Sequence, residues 1–181
     1  MSQSKRIAVI VGSLRTGSIN RRVANTLIGL APDSLAPSIV EIGHLPLYNQ
    51  DYDADSPAAY TEFRATIAAA DGLLFVTPEH NRSVPAALKN ALDIGSRPAS
   101  KSVWGGKPGG VVSASPSAQG GFGANHHLRQ SLTCLNIYTM QAPETYLGQA
   151  DKLFDGDEPT ETGRGLLQRF IDVYAQWVSK F

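Results

Sequence analysis

The sequence predicts one α/β domain, spanning residues 1–181, built on an open parallel sheet with helices on both faces. Two observations carry this. Short runs such as Ile7–Val11 and Leu73–Val76 are apolar at every position, as in strands buried from both sides. Between such runs, apolar residues recur every three or four positions, as on one face of a helix. Five strands alternate with five helices along 181 residues, a length suited to one domain.

Taken in order, Arg6–Val11 reads as the first strand, and Ile19, Val23, Leu27 and Leu30 mark the first helix, with Ser18 as its N-cap. Ser38–Ile42 reads as a second strand whose mixed face suggests an edge. Tyr60, Phe63, Ile67 and Ala70 define the second helix, and Gly72–Val76 the third strand. Val84, Leu88 and Leu92 mark the third helix, with Ser83 as N-cap and Pro85 in the first turn. Pro108–Ser113 is the fourth strand, and Leu128, Leu132 and Leu135 place a fourth helix. Asn136–Met140 is a short fifth strand, and Leu167, Phe170, Tyr174, Trp177 and Phe181 line a long last helix. Residues 1–4 read as a loose terminus. A chain of this size and rhythm suits the flavodoxin-like three-layer sandwich with strand order 2-1-3-4-5. Ligands of such sheets bind beyond the carboxyl ends of the strands, where the order reverses.

Composition narrows the function. Lys+Arg and Asp+Glu both number 16, so the formal charge is zero. A nucleic-acid binder usually carries a basic surplus, and an electron carrier that docks by charge an acidic one. Cys134 is the single cysteine, so no intrachain disulfide and no cysteine-based metal cluster can form. That suits a reducing cytoplasm. No targeting segment is expected, and no stretch approaches the ~20 apolar residues of a membrane span. Cys134 reads as a small core residue. His126 and His127 are adjacent on a helix and point apart, which disfavours a metal site.

Three unusual loops follow strands one, three and four. The first, Gly12 to Asn20, opens a helix. Its hydroxyls at Ser13, Thr16 and Ser18, the free N–H groups of a helix start, and the guanidinium of Arg15 together suit a terminal phosphate. An ordinary strand-to-helix turn is the alternative. No Gly-Lys-Ser/Thr closes the loop, so it is no P-loop, and Leu14 stands where a dinucleotide fingerprint needs its second glycine. The second loop, Thr77 to Pro85, sets polar groups beside His80, which lies along a flat heterocycle or simply faces solvent. Glu79 is an acid catalyst or, by the preferred reading, a carboxylate accepting backbone N–H groups. The third loop, Ser113 to Gly123, is rich in small residues that let a ligand approach the backbone, and a flexible surface loop is the alternative. Tyr48–Tyr52, after the second strand, forms a loop near the site or a contact between copies.

These residues resemble a known family. Gly12-Ser13-Leu14-Arg15 with Ser18 and Asn20 is similar to the phosphate loop of NAD(P)H-dependent FMN reductases. Pro78-Glu79-His80-Asn81-Arg82-Ser83-Val84-Pro85, then Leu88 to Asp93, resembles that family's flavin loop and helix. The match runs in order along nearly the whole chain, and the branch closest in appearance holds bacterial chromate and quinone reductases. His80 stands where the family usually has Tyr, and Ala86 and Ala87 where Gly is common. The resemblance implies an FMN enzyme using NADPH or NADH, with Ser13, Arg15, Ser18 and Asn20 on the phosphate and Ile19 in the same turn. Pro78, Glu79, His80, Asn81, Arg82 and Ser83 would border the flavin, and Ser115 would approach it from the third loop. It further implies small-molecule electron acceptors, namely quinones, free flavin, azo compounds or chromate-like oxyanions, served in a ping-pong order. A homodimer or homotetramer is expected, with no nucleic-acid or membrane partner. The rival expectations are a flavodoxin-like electron carrier and a non-catalytic FMN-binding regulator.

Overall fold

The structure, a computed structural model, describes residues 4–181; the first three positions of the loose terminus expected from sequence lie outside the described residues. The sheet is built from β1 (Lys5–Val11), β2 (Leu35–Val40), β3 (Gly72–Thr77), β4 (Pro108–Ala114) and β5 (Tyr138–Thr139). Their order is β2-β1-β3-β4-β5 and all pairs are parallel. The five helices are α1 (Ile19–Leu30), α2 (Ala58–Ala69), α3 (Ala86–Gly95), α4 (Phe122–Cys134) and α5 (Glu161–Val178).

Successive side chains of a strand point to opposite faces, and here both faces are covered. Ile7, Val9 and Val11 pack with Leu74, Val76 and Val112 against Val23 and Leu27 of α1 and Phe170 and Tyr174 of α5. Ala8 and Ile10 pack with Leu73, Phe75 and Val111 against residues of α2, α3 and α4, including Phe63, Leu88 and Leu128. This double burial is why the strand sequences are apolar throughout. Tyr174 is fully buried, and its hydroxyl donates to Leu73 O at 2.9 Å. Burial pushes that phenol far above its ordinary range. Tyr174→Phe removes one buried hydrogen bond, about 1 kcal/mol. For a chain of this size that lowers Tm by roughly 2–4 °C, which calorimetry checks.

The elements differ from the sequence reading in four places. The second strand runs from Leu35 to Val40, not from Ser38 to Ile42. As an edge it tolerates Pro37, and its register with β1 ends at Ile10↔Val40. Glu41 leaves the sheet and forms a double hydrogen bond with Arg21 of α1, at 2.6 and 2.7 Å. Second, the fifth position of the sheet holds two short strands. β5 pairs the start of β4, then β6 (Thr145–Leu147) pairs its end. Pro143, which lacks an N–H, lies in the gap between them. Third, Pro85 caps α3 and its carbonyl accepts from Lys89 N at 3.0 Å. Ser83 is instead held in a tight turn with His80. Fourth, Cys134 is exposed at the last turn of α4 rather than in the core, and Phe181 lies beyond α5, half exposed. A small hairpin of β7 (Phe154–Asp155) and β8 (Glu158–Pro159) precedes α5. Among the described residues, no helix is long and apolar enough to cross a membrane.

Candidate functional site

The loops after β1, β3 and β4 converge at the carboxyl end of the sheet, around a cleft of about 610 Å³. It is lined by Ser13, Arg15, Ser18, Ile19 and Asn20 from the first loop, Pro78, Glu79 and His80 from the second, and Ser115 from the third. Every candidate site residue is therefore on its wall except Asn81, Arg82 and Ser83, which sit in the turn just beyond His80. Gly12, Leu14, Ala86, Ala87 and Pro116 also line it. Sequence reading did not propose them as site residues, because small apolar groups carry no chemical signature of their own.

The first loop is shaped by two glycines. Gly12 N donates to Val76 O at 2.9 Å, which holds the loop's root beside β3. A β-carbon on Gly12 would lie 3.1 Å from Thr77 Oγ1 and 3.2 Å from Leu88 Cδ2, so a side chain there would press on the root of the second loop and on α3. Gly17 adopts a left-handed φ of 70°, turning the chain into α1. Ser18 is the N-cap, with its Oγ accepting from Arg21 N at 3.3 Å. Among the described residues, the N–H groups of Ser13 to Ser18 have no protein acceptor. Arg15 is exposed and makes no ion pair with them either. Asn20 differs from the others. It is buried, and its Nδ2 already donates to Ala114 O at 3.2 Å, while its Oδ1 has no partner. Its amide ties α1 to the end of β4, and its spare atom is an acceptor, which suits a hydroxyl better than a phosphate oxygen.

The second loop carries a two-residue turn. His80 N donates to Ser83 O at 3.0 Å and Ser83 N to His80 O at 2.8 Å. Asn81 and Arg82 between them both have left-handed φ, 49° and 64°. Such backbone costs of order 1 kcal/mol or more for a residue with a side chain and persists only when its surroundings impose it. Glu79 is mostly buried, and its carboxylate accepts from Ala124 N at 3.0 Å and from Arg82 Nη1 at 3.1 Å. This is the structural role preferred from sequence.

The third loop is pinned rather than loose. Ser115 N donates to Leu147 O at 3.1 Å, Ala150 N donates to Ser115 O at 3.0 Å, and Ser115 Oγ accepts from Ser117 N at 3.1 Å. Beneath it runs a buried polar chain absent from the sequence reading. Asn125 Nδ2 donates to Ser113 Oγ at 3.2 Å, Arg129 Nε donates to Asn125 Oδ1 at 2.8 Å, and Arg129 Nη1 donates to Met140 O at 2.8 Å. Burial pulls the Arg129 pKa below its usual value. The segment Tyr48–Tyr52 contributes no residue to the cleft lining. Asn90 accepts from Tyr48 N at 2.8 Å and donates to Pro46 O at 2.9 Å, and Tyr60 donates to Leu47 O at 2.6 Å.

The residues present suit FMN. The unpaired N–H groups, the positive end of α1 and Arg15 match a dianion. The cleft volume falls in the range of cofactor sites. A parallel sheet in this order, with a phosphate-type loop at its switch point, defines a flavodoxin-like mononucleotide-binding protein. The signature of the NADPH-dependent FMN reductases matches residues 5–152, and the chain belongs to that family. It is 57% identical to a quinone reductase of Pseudomonas putida over 180 residues, covering 98% of this chain and 97% of the relative. It is 49% identical to a 2-hydroxy-1,4-benzoquinone reductase of Burkholderia sp. over 175 residues, 96% of each chain. Among solved structures it resembles FerB, a flavoenzyme NAD(P)H:(acceptor) oxidoreductase from Paracoccus denitrificans. The TM-score is 0.90 at 36% identity, covering 97% of this chain and 98% of that one. The class read from sequence, an NAD(P)H-dependent FMN oxidoreductase, is thus the class of its relatives.

Proposed function

We propose that this chain reduces small acceptors, with quinones foremost, drawing electrons from NAD(P)H through FMN held in the cleft. The observation that supports this most is the set of unpartnered N–H groups from Ser13 to Ser18, in a loop that lines the same cleft as His80 and Ser115. In this reading Ser13, Arg15 and Ser18 hold the phosphate, with the N–H groups of Ile19 and Asn20 behind them. Pro78, Glu79, His80 and Ser115 border the ring, and Asn81, Arg82 and Ser83 shape the turn at its edge. Bound there, FMN supplies the hydride and electron chemistry. The chain's own part is to orient the reactants and to keep donors in place. In this reading reductant and acceptor occupy the same cleft in turn, a ping-pong order. Quinones, free flavin, azo compounds and chromate-like oxyanions are the acceptor classes proposed, and the names of the Pseudomonas and Burkholderia relatives favour quinones. No side chain in the cleft is assigned a proton-transfer role.

We further infer a homodimer or homotetramer in the cytoplasm. The exposed rings of Phe122 and His126 on α4 and the half-buried ring of Tyr146 on β6, with centroids 4.2 to 5.9 Å apart, form an aromatic cluster of the kind that pairs between copies.

The purified protein is expected to be yellow, with a bound-flavin absorption that bleaches within the mixing time of a stopped-flow experiment on adding NADPH without oxygen, and returns on adding a benzoquinone. A colourless protein that takes up no FMN would remove the reading. Slow bleaching by both nicotinamides would favour an electron carrier, and bleaching without turnover of any acceptor a regulator.

A further inference from the structure

We propose that Glu79 is a positioning residue, which sets the affinity and reduction potential of bound FMN by fixing the Asn81–Arg82 turn to the start of α4. The inference rests on the FMN reading above. Helix α4 begins with Gly121 as N-cap, which has no side chain to offer the helix. Glu79 supplies the missing acceptor from 45 residues away, through Oε2 on Ala124 N. The approach is tight, since a β-carbon on Gly123 would stand 2.9 Å from both Glu79 Oε2 and Arg82 O. A second grip comes one turn further along α4, where His127 Nδ1 meets Ser83 Oγ at 3.1 Å. Thus α4 holds both sides of a turn whose two central residues are in left-handed backbone.

The contacts of Glu79 are unequal. Arg82 is 74% exposed, so its ion pair with Glu79 contributes little in water. The bond to Ala124 N is charge-assisted, at the positive end of a helix, and made by a carboxylate only 12% exposed. It carries the clamp, and Arg82 orients the other carboxylate oxygen. Among the described residues, the N–H groups of Asn81 and Arg82 have no acceptor, so the clamp determines where two free donors point. Donors fixed beside a ring that gains negative charge on reduction raise its potential.

The sign of the potential shift separates the possible roles. A carboxylate acting directly by its charge would disfavour reduction, so Glu79→Gln and Glu79→Ala would raise the potential of bound FMN. A carboxylate that only supports the fold would leave the potential unchanged. Acting through the turn, its loss lowers the potential. Holoenzyme potentials are measured by spectroelectrochemical titration, with FMN affinity measured by fluorescence on reconstitution. The expected result is a lower potential in both variants and about tenfold weaker FMN binding in Glu79→Ala. Glu79→Gln, which keeps an oxygen for Ala124 N, shows a smaller effect and remains measurable should Glu79→Ala not fold. Its Ala124 amide is also expected to exchange hydrogen faster. An unchanged or raised potential overturns the proposal, whatever happens to affinity. A wild-type protein that binds no FMN overturns the functional reading and the clamp with it. Normal flavin behaviour in wild type with unshifted variants overturns the clamp alone.

Discussion

Replacing Gly95 with Val is expected to destroy the stable fold. Gly95 ends α3, and a β-carbon there would lie 2.5 Å from Trp104 Cε2 and Nε1 and 2.7 Å from Cζ2. Real β-carbons do not approach that closely, so the indole would have to move. It has nowhere to go. Trp104 is fully buried, and its Nε1 donates to Leu92 O at 3.0 Å in the same helix. Its ring packs against Phe63 and Phe75, with centroids 6.0 and 6.2 Å away. Overpacking a filled core costs about 1–3 kcal/mol, occasionally more. Forcing out a buried hydrogen-bonded indole adds an unmet donor, about 1–3 kcal/mol more. The sum rivals the roughly 5–15 kcal/mol that holds a typical domain together. Urea titration followed by tryptophan fluorescence is expected to show a large fall in midpoint, or no folded baseline. Adding Trp104→Phe to the same chain shrinks the obstructing ring and is expected to recover part of the loss. A Gly95→Val protein as stable as wild type would show that α3 and the Trp104 segment do not pack as described.

Arg15→Ala is expected to weaken FMN binding by about 10- to 100-fold while leaving the fold intact. Arg15 is exposed, and no ion pair ties it to the described residues, so its removal takes nothing from the core. Charge-assisted hydrogen bonds to a phosphate are worth about 1.5–3 kcal/mol, which at 1.4 kcal/mol per decade gives that range. The control is riboflavin, which has the ring and ribityl chain but no phosphate. Its affinity is expected to be the same for wild type and variant, and the difference between the two ligands to shrink as salt is raised. An equal loss for both ligands would place Arg15 on the ring instead, and no loss for either would remove it from the site.

Much of this molecule is legible in its sequence. The helices at Ile19–Leu30 and Ala58–Ala69 and the strands at β1, β3 and β4 match their sequence readings to within a few residues. The strand order matches as well. The elements follow from periodicity, since burial on one face or two leaves a pattern that neighbouring residues repeat, and the order follows from the fold class that their alternation suits. What failed was local in sequence but governed from elsewhere. Ser83 has the side chain of a helix cap, but His80 and His127 claim it first. Cys134 has the polarity of a core residue, yet it falls in the last exposed turn of α4. The second strand is set by its register with β1, which no propensity within Ser38–Ile42 encodes.

The sequence alone therefore determined the elements and the layers, because those depend on which residues avoid water and at what spacing, and the strand order and the meeting of three loops at one end of the sheet came with the fold class that their alternation suits. Its polar residues, read with the family resemblance, also named nine of the sixteen residues that line the cleft, and the small and apolar remainder went unnamed. Only the tertiary structure decided what each polar group does once there. Glu79 and Ala124 are 45 residues apart, and Asn20 and Ala114 are 94 apart. A hydrogen bond depends on a few tenths of an ångström between groups that packing brings together, and a linear string of residues holds no record of that distance.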